Sequence, residues 1–138
     1  MKNFITDDYE YILIGSADAS NKGYIFKLDS GTSQFVLSET LILDAQIKYL
    51  SLSEDKEWLA VSTHGSSSDP GNEKTYIFTG LTAGSIVLQQ TFYQNSYHHS
   101  ISQDKQYFIV TSEVEKVFVD CRPDNANNYF NQTSGECL

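Results

Sequence analysis

The sequence predicts an all-β protein built from repeated four-stranded antiparallel units, and three observations carry that prediction. One ten-residue phrase occurs three times, as TDDYEYILIG at 6–15, SEDKEWLAVS at 53–62 and SQDKQYFIVT at 102–111. The copies are spaced by 47 and then 49 residues, a period that marks a repeat architecture. The apolar runs are four or five residues long, rich in β-branched and aromatic side chains and bounded by polar turns, which fits strands rather than helices.

Each phrase contains a hydroxyl residue (Thr6, Ser53, Ser102), an aspartate two places on (Asp8, Asp55, Asp104), an aromatic (Tyr11, Trp58, Tyr107) and then an apolar run. Asp8, Asp55 and Asp104 fall in the tight turn ahead of that run, where a short carboxylate accepts hydrogen bonds from backbone N–H groups two residues on. Inner strands are expected at Ile47 to Leu52 and Tyr97 to Ile101, with only a stub, Lys2 to Ile5, before the first copy. Third strands follow a polar loop, at Tyr24 to Phe26, Tyr76 to Phe78 and Val117 to Val119. Fourth strands are expected at Phe35 to Leu41 and Ile86 to Phe92, after turns at Gly31 and Gly84. Four short strands in 47 to 49 residues is the length of a β-propeller blade.

SEDKEWLAV and SQDKQYFIV resemble the Ser-x-Asp-x-x-aromatic-apolar turn of WD40-like and related propeller blades, over residues 2 to about 120. The blade ends lack the Gly-His and Trp-Asp pairs of the WD40 signature, so the resemblance is to propeller blades generically. The closing CRPDNANNYFNQTSGECL resembles the start of furin-like or growth-factor-receptor-like cysteine-rich repeats, of the kind found in large protist surface proteins. The expected organisation is a partial β-propeller of about two and a half to three blades. Blade 1 takes 1–44 with a truncated inner strand, blade 2 takes 45–95, partial blade 3 takes 96–120, and 121–138 is the cysteine-rich segment. Propellers close with about four or more blades, so three incomplete ones leave sheet edges that need a partner. The expectation is a segment of a longer polypeptide, with an oligomeric ring or a non-closing filament as alternatives.

Among 138 residues, 40% are hydrophobic and 13% aromatic, as in a globular chain with a sizeable core. A net charge of −9 argues against nucleic acid, which is bound by clustered lysine and arginine, and against an anionic membrane surface. No apolar run approaches the roughly 20 residues of a spanning helix. The opening MKNFITDDYEY is too acidic for a signal peptide. Cys121 and Cys137 bracket a polar, irregular stretch of the kind a disulfide closes. That stretch holds Asn131-Gln132-Thr133, an N-glycosylation acceptor in a secreted chain. Together they point to an extracellular or cell-surface location, with a cytoplasmic one as the alternative.

The chemistry-bearing residues are sparse. His98 and His99 are adjacent on a strand and so point to opposite faces, which keeps them from sharing a metal. Three histidines and no Cys-x-x-Cys pair leave zinc unsupported. On the loops Ala17 to Gly23 and Thr63 to Lys74, the residues Asp18, Asp69, Asn72 and Glu73 carry oxygens suited to calcium or a sugar hydroxyl. They lack EF-hand spacing, and the ordinary reading is solvated turn residues. His64, Ser66 and Asp69 have triad chemistry but share one loop, whereas a triad needs each partner rigidly oriented. No nucleophile elbow, P-loop or dinucleotide fingerprint appears, and the nine tyrosines read as blade packing. The expected function is a non-catalytic structural or protein-interaction module of an extracellular or cell-surface protein, with no cofactor. Its expected partners are proteins, through self-association or other parts of a longer chain, with a possible glycan on Asn131. The alternatives are an intracellular WD40-like scaffold and a lectin-like propeller that binds carbohydrate.

Overall fold

A computed structural model describes residues 2–16, 21–64, 73–92, 98–101, 107–111, 117–121, 130–131 and 136–137, with side chains at 3–16, 21–64 and 73–91. Strand periodicity organises them. The run Tyr11–Gly15 alternates buried and half-buried side chains, as a strand does when its two faces meet different surroundings. Its counterpart Trp58–Thr63 is buried at all six positions, as a strand covered on both faces must be.

The first sheet contains β1 (Lys2–Ile5), β2 (Tyr11–Gly15), β3 (Lys22–Asp29) and β4 (Gln34–Ile42), antiparallel and in that spatial order. The second repeats the pattern with β5 (Ile47–Leu52), β6 (Trp58–Thr63), β7 (Thr75–Thr79) and β8 (Val87–Phe92). The third has β9 (His98–Ile101), β10 (Tyr107–Thr111) and β11 (Val117–Cys121), with β10 in the middle. A two-residue hairpin, β12 (Phe130–Asn131) with β13 (Glu136–Cys137), follows. Among the described residues there is no helix, and the fold is all-β.

The repeated phrase makes the same turn twice. The Tyr11 amide donates to the Thr6 hydroxyl at 3.0 Å and the Trp58 amide to the Ser53 hydroxyl at 2.9 Å. The Glu10 amide donates to Asp8 at 3.1 Å and the Glu57 amide to Asp55 at 3.2 Å. Tyr9 and Lys56, at matching positions, both adopt left-handed backbone with φ of 57° and 62°. The third strand of the first sheet extends well beyond the expected Tyr24 to Phe26, because Asp29 closes the hairpin end. Its carboxylate accepts the Gly31 and Thr32 amides at 2.8 and 3.0 Å, and a bulge between Ile25 and Phe26 absorbs the extra residue on β4.

The sheets stack face to face with their first strands innermost. β5 lies beside β1 and β2, and β9 lies beside β5 and β6. Among the described residues, β4 and β8 each pair only with the preceding strand of their own sheet. The core lies between the first two sheets: Tyr11, Leu13, Ile25 and Leu41 from one meet Ile47, Leu59, Val61, Tyr76 and Phe78 from the other. A wholly buried side chain of this size contributes about 1.5–3 kcal/mol. Close approach depends on Gly15 and Gly23, since a Cβ on either would lie 2.7 or 2.8 Å from the Ile47 side chain.

Candidate interaction site along the seam between the sheets

Two polar clamps fasten the seam, one at each end. At the β1–β2 end, Lys56 reaches from the second sheet to Asp8 and to Glu10 of the first, the latter at 2.6 Å. The Lys56 ammonium beside Asp8 holds that carboxyl down from 3.8 to about 2, and the two carboxylates raise the lysine in return. Lys56 also lies 5.9 Å from the Tyr11 ring centroid, within cation–π range. At the other end Asp44, on the β4–β5 connection, accepts hydrogen bonds from Lys74 and from the Tyr76 hydroxyl. Burial pushes the Asp44 carboxyl up, but Lys74 and Tyr76 outweigh burial and leave it below the usual carboxylate range.

Beside the Asp44 clamp, an apolar groove of about 450 Å³ opens between the end of β4 and the β7–β8 pair, lined by Leu41, Leu43, Phe78, Ile86 and Leu88. Its margins expose Ile42 (75%) and Leu88 (49%). Exposed apolar side chains gathered at an unpaired strand edge mark an interaction surface.

The residues singled out in the sequence are scattered. Asp8 and Asp55 sit in their turns, and Asp8 also serves the clamp. Asp18, Ser66, Asp69, Asn72 and Asp104 lie outside the described residues, and His64 is exposed. Glu73 is not a solvated turn residue. Its carboxylate lies 3.4 Å from Lys48 Nζ, the two side chains are only 12% and 7% exposed, and its Oε2 is buried with no hydrogen-bond partner among the described residues. Lys48 sits at an irregularity in β5, between Ile47 and Tyr49. The sequence reading missed it, although a lysine inside the apolar run IKYLSL is the signal that marks it. Among the described residues no three His, Cys, Asp or Glu side chains gather to hold a metal. His98 and His99 pair through their backbones with Thr111 and Val110. Asn131 pairs with Glu136, and Cys137 with Phe130. The side chains of these two histidines, of Asn131, and of Cys121 and Cys137 lie outside the described set.

Among the described residues no helix is long and apolar enough to cross a membrane. No protein-family description matches the chain, and no curated protein matches it in sequence. Solved structures do match. A Bacteroides fragilis protein assigned as a 6-phosphogluconolactonase superimposes with a TM-score of 0.65 at 12% identity, over 99% of this chain and 36% of its own. The Pseudomonas aeruginosa periplasmic gluconolactonase gives 0.64 at 14% identity, over 99% and 37%. Chaetomium thermophilum Sqt1, bound to the N-terminus of ribosomal protein L10, gives 0.60 at 13% identity, over 87% and 32%. These neighbours are propellers, and the sheets described above are their blades. The fold is a partial β-propeller.

The chain spans about a third of the length of each of these structures. At 12–14% identity the likeness is one of fold. It corrects one expectation, that the chain is not an enzyme, because propellers with gluconolactonase assignments stand among its neighbours. That expectation rests on the lack of a local catalytic motif. A site assembled from separate blades leaves no such motif in any one stretch of sequence.

Proposed function

We propose that this chain is a protein-interaction module of a propeller, and that its partner lies along the outer groove between the first two blades. The observation that carries the reading is the groove itself, largely apolar, open and flanked by β4 and β8, each of which pairs on one side only among the described residues. Sqt1, a neighbour in fold, is bound to a segment of another protein. The test is a photo-crosslinking residue at Leu88, read in the native cell. One partner is expected to be trapped there and lost on Ile86→Asp. A yield equal to that from a probe at Thr32, on an exposed turn, would set the reading aside.

We further propose that the module works outside the cell or on its surface, supported by Cys121, Cys137 and the Asn131-Gln132-Thr133 acceptor. Intact mass before and after reduction and deglycosylation is expected to report one disulfide and one glycan. Free thiols and no glycan would favour an intracellular scaffold. A second reading rests on the gluconolactonase neighbours, which align with 99% of the chain: the blades belong to a lactonase propeller. Hydrolysis of gluconolactone, followed by acid release, tests it, and a rate no faster than buffer would retire it.

A further inference from the structure

In a propeller the face of one blade is covered by the next, and we infer that the blade covering the first one here brings a carboxylate, on the connection after its outer strand, to Lys22 and Tyr24. The internal repeat supplies the argument. Ile12, Ile14, Tyr24 and Phe26 occupy the positions that Leu59, Val61, Tyr76 and Phe78 occupy in the second blade. In the second blade these side chains are 1%, 0%, 8% and 8% exposed, packed into the core shared with the first. In the first blade all four are only half-buried. The cross-strand row Ile5, Ile12, Phe26 and Leu37 ends in side chains that are 51% and 54% exposed. An apolar stripe across all four strands is thus built like a face that a blade covers.

The polar groups specify what the covering blade carries. In the second blade Lys74 and Tyr76 grip Asp44 from the connection of the first. Lys22 and Tyr24 stand at the same two positions in the first blade, with Tyr24 opposite Thr40 of β4 as Tyr76 is opposite Thr91 of β8. Among the described residues neither side chain has a hydrogen-bond or ion-pair partner. An ammonium and a phenol side by side, at the rim of an apolar face, fit a carboxylate. The opposite rim differs, because Tyr9, 68% exposed, stands where the second blade has Lys56. The requirement for an acid therefore falls at the Lys22 end.

The test keeps the full chain intact and joins a second copy of its residues 2–48 ahead of Lys2, so that the added blade presents its own Asp44. Hydrogen exchange is then read by residue. The added copy is expected to be protected, and the amides of Ile12, Ile14, Tyr24 and Phe26 to exchange about tenfold more slowly than in the unmodified chain. Asp44→Asn in the added copy, or Lys22→Met in the original, is expected to remove most of that gain. An added copy that stays unprotected beside a folded chain would overturn the inference, because one four-stranded sheet has no other face to fold against. Protection that survives both substitutions would overturn the carboxylate requirement.

Discussion

Lys56 shows how a turn residue becomes a fastener between blades. Its left-handed backbone, at φ 62°, projects the side chain away from its own strands and across the seam to Asp8 and Glu10. Asp8 titrates at about 2 rather than 3.8, so folding favours its ionised form. A depressed carboxyl contributes stability that is present above the unfolded value and lost as pH falls through the folded one. The wild-type chain is therefore expected to resist urea better than Lys56→Met at pH 6, with the gap closing between about pH 4 and pH 2. Equal midpoints at pH 6 would show that the clamp is screened out by solvent, as exposed pairs often are. The Lys48–Glu73 pair is different because it is buried, at 7% and 12% exposure. Lys48→Met leaves a carboxylate without its cation in the interior, and breaking such a pair costs about 3–5 kcal/mol. Lys48→Met combined with Glu73→Gln is expected to recover much of that loss in a denaturant titration.

At the scale of the element, the inner strand β5 is held by the fit of Ile47 into the notch over Gly15 and Gly23. A Cβ at Gly15 would lie 2.7 Å from Ile47 Cγ2 and 2.9 Å from Ile47 Cβ, too near the backbone for a rotamer change to relieve. Gly15→Ala is expected to cost about 1–3 kcal/mol, the usual range for overpacking. Ile47→Ala on that background is expected to be milder than the two single losses added together, since each opens room for the other. Strands of this kind were legible in the sequence because their signals are local. TDDYEYILIG and SEDKEWLAVS carry their own turn chemistry and their own alternation, and the turns before the fourth strands are marked by Gly31 and by Gly84. What was not legible depends on contacts between distant residues. Nothing near Asp44 announces that Lys74 and Tyr76 will hold it, and Glu73 reads as a loop acid until Lys48 is placed beside it. The outer groove is equally silent, because its lining comes from three strands and a connection.

For the whole molecule, the decisive fact is that the first blade has both faces apolar and, among the described residues, only one of them fully buried. The described core is the layer between the first two blades, and the repeat places the same side chains on the face that remains open. Burial rather than residue type should then set the cost of truncation at equivalent positions. Leu59, 1% exposed, is expected to lose about 2–5 kcal/mol on Leu59→Ala, as wholly buried leucines do. Its counterpart Ile12, half-buried, is expected to lose less than about 1.5 kcal/mol on Ile12→Ala when the chain is alone. Urea midpoints of the two variants measure the difference directly, and similar losses would mean that the first blade is already covered on its second face. Docking of a further blade changes the expectation in one direction only. With the face occupied, Ile12→Ala should approach Leu59→Ala in cost, because the two positions then have the same surroundings. The asymmetry between two copies of one motif is thus a measure of how much of the propeller is present.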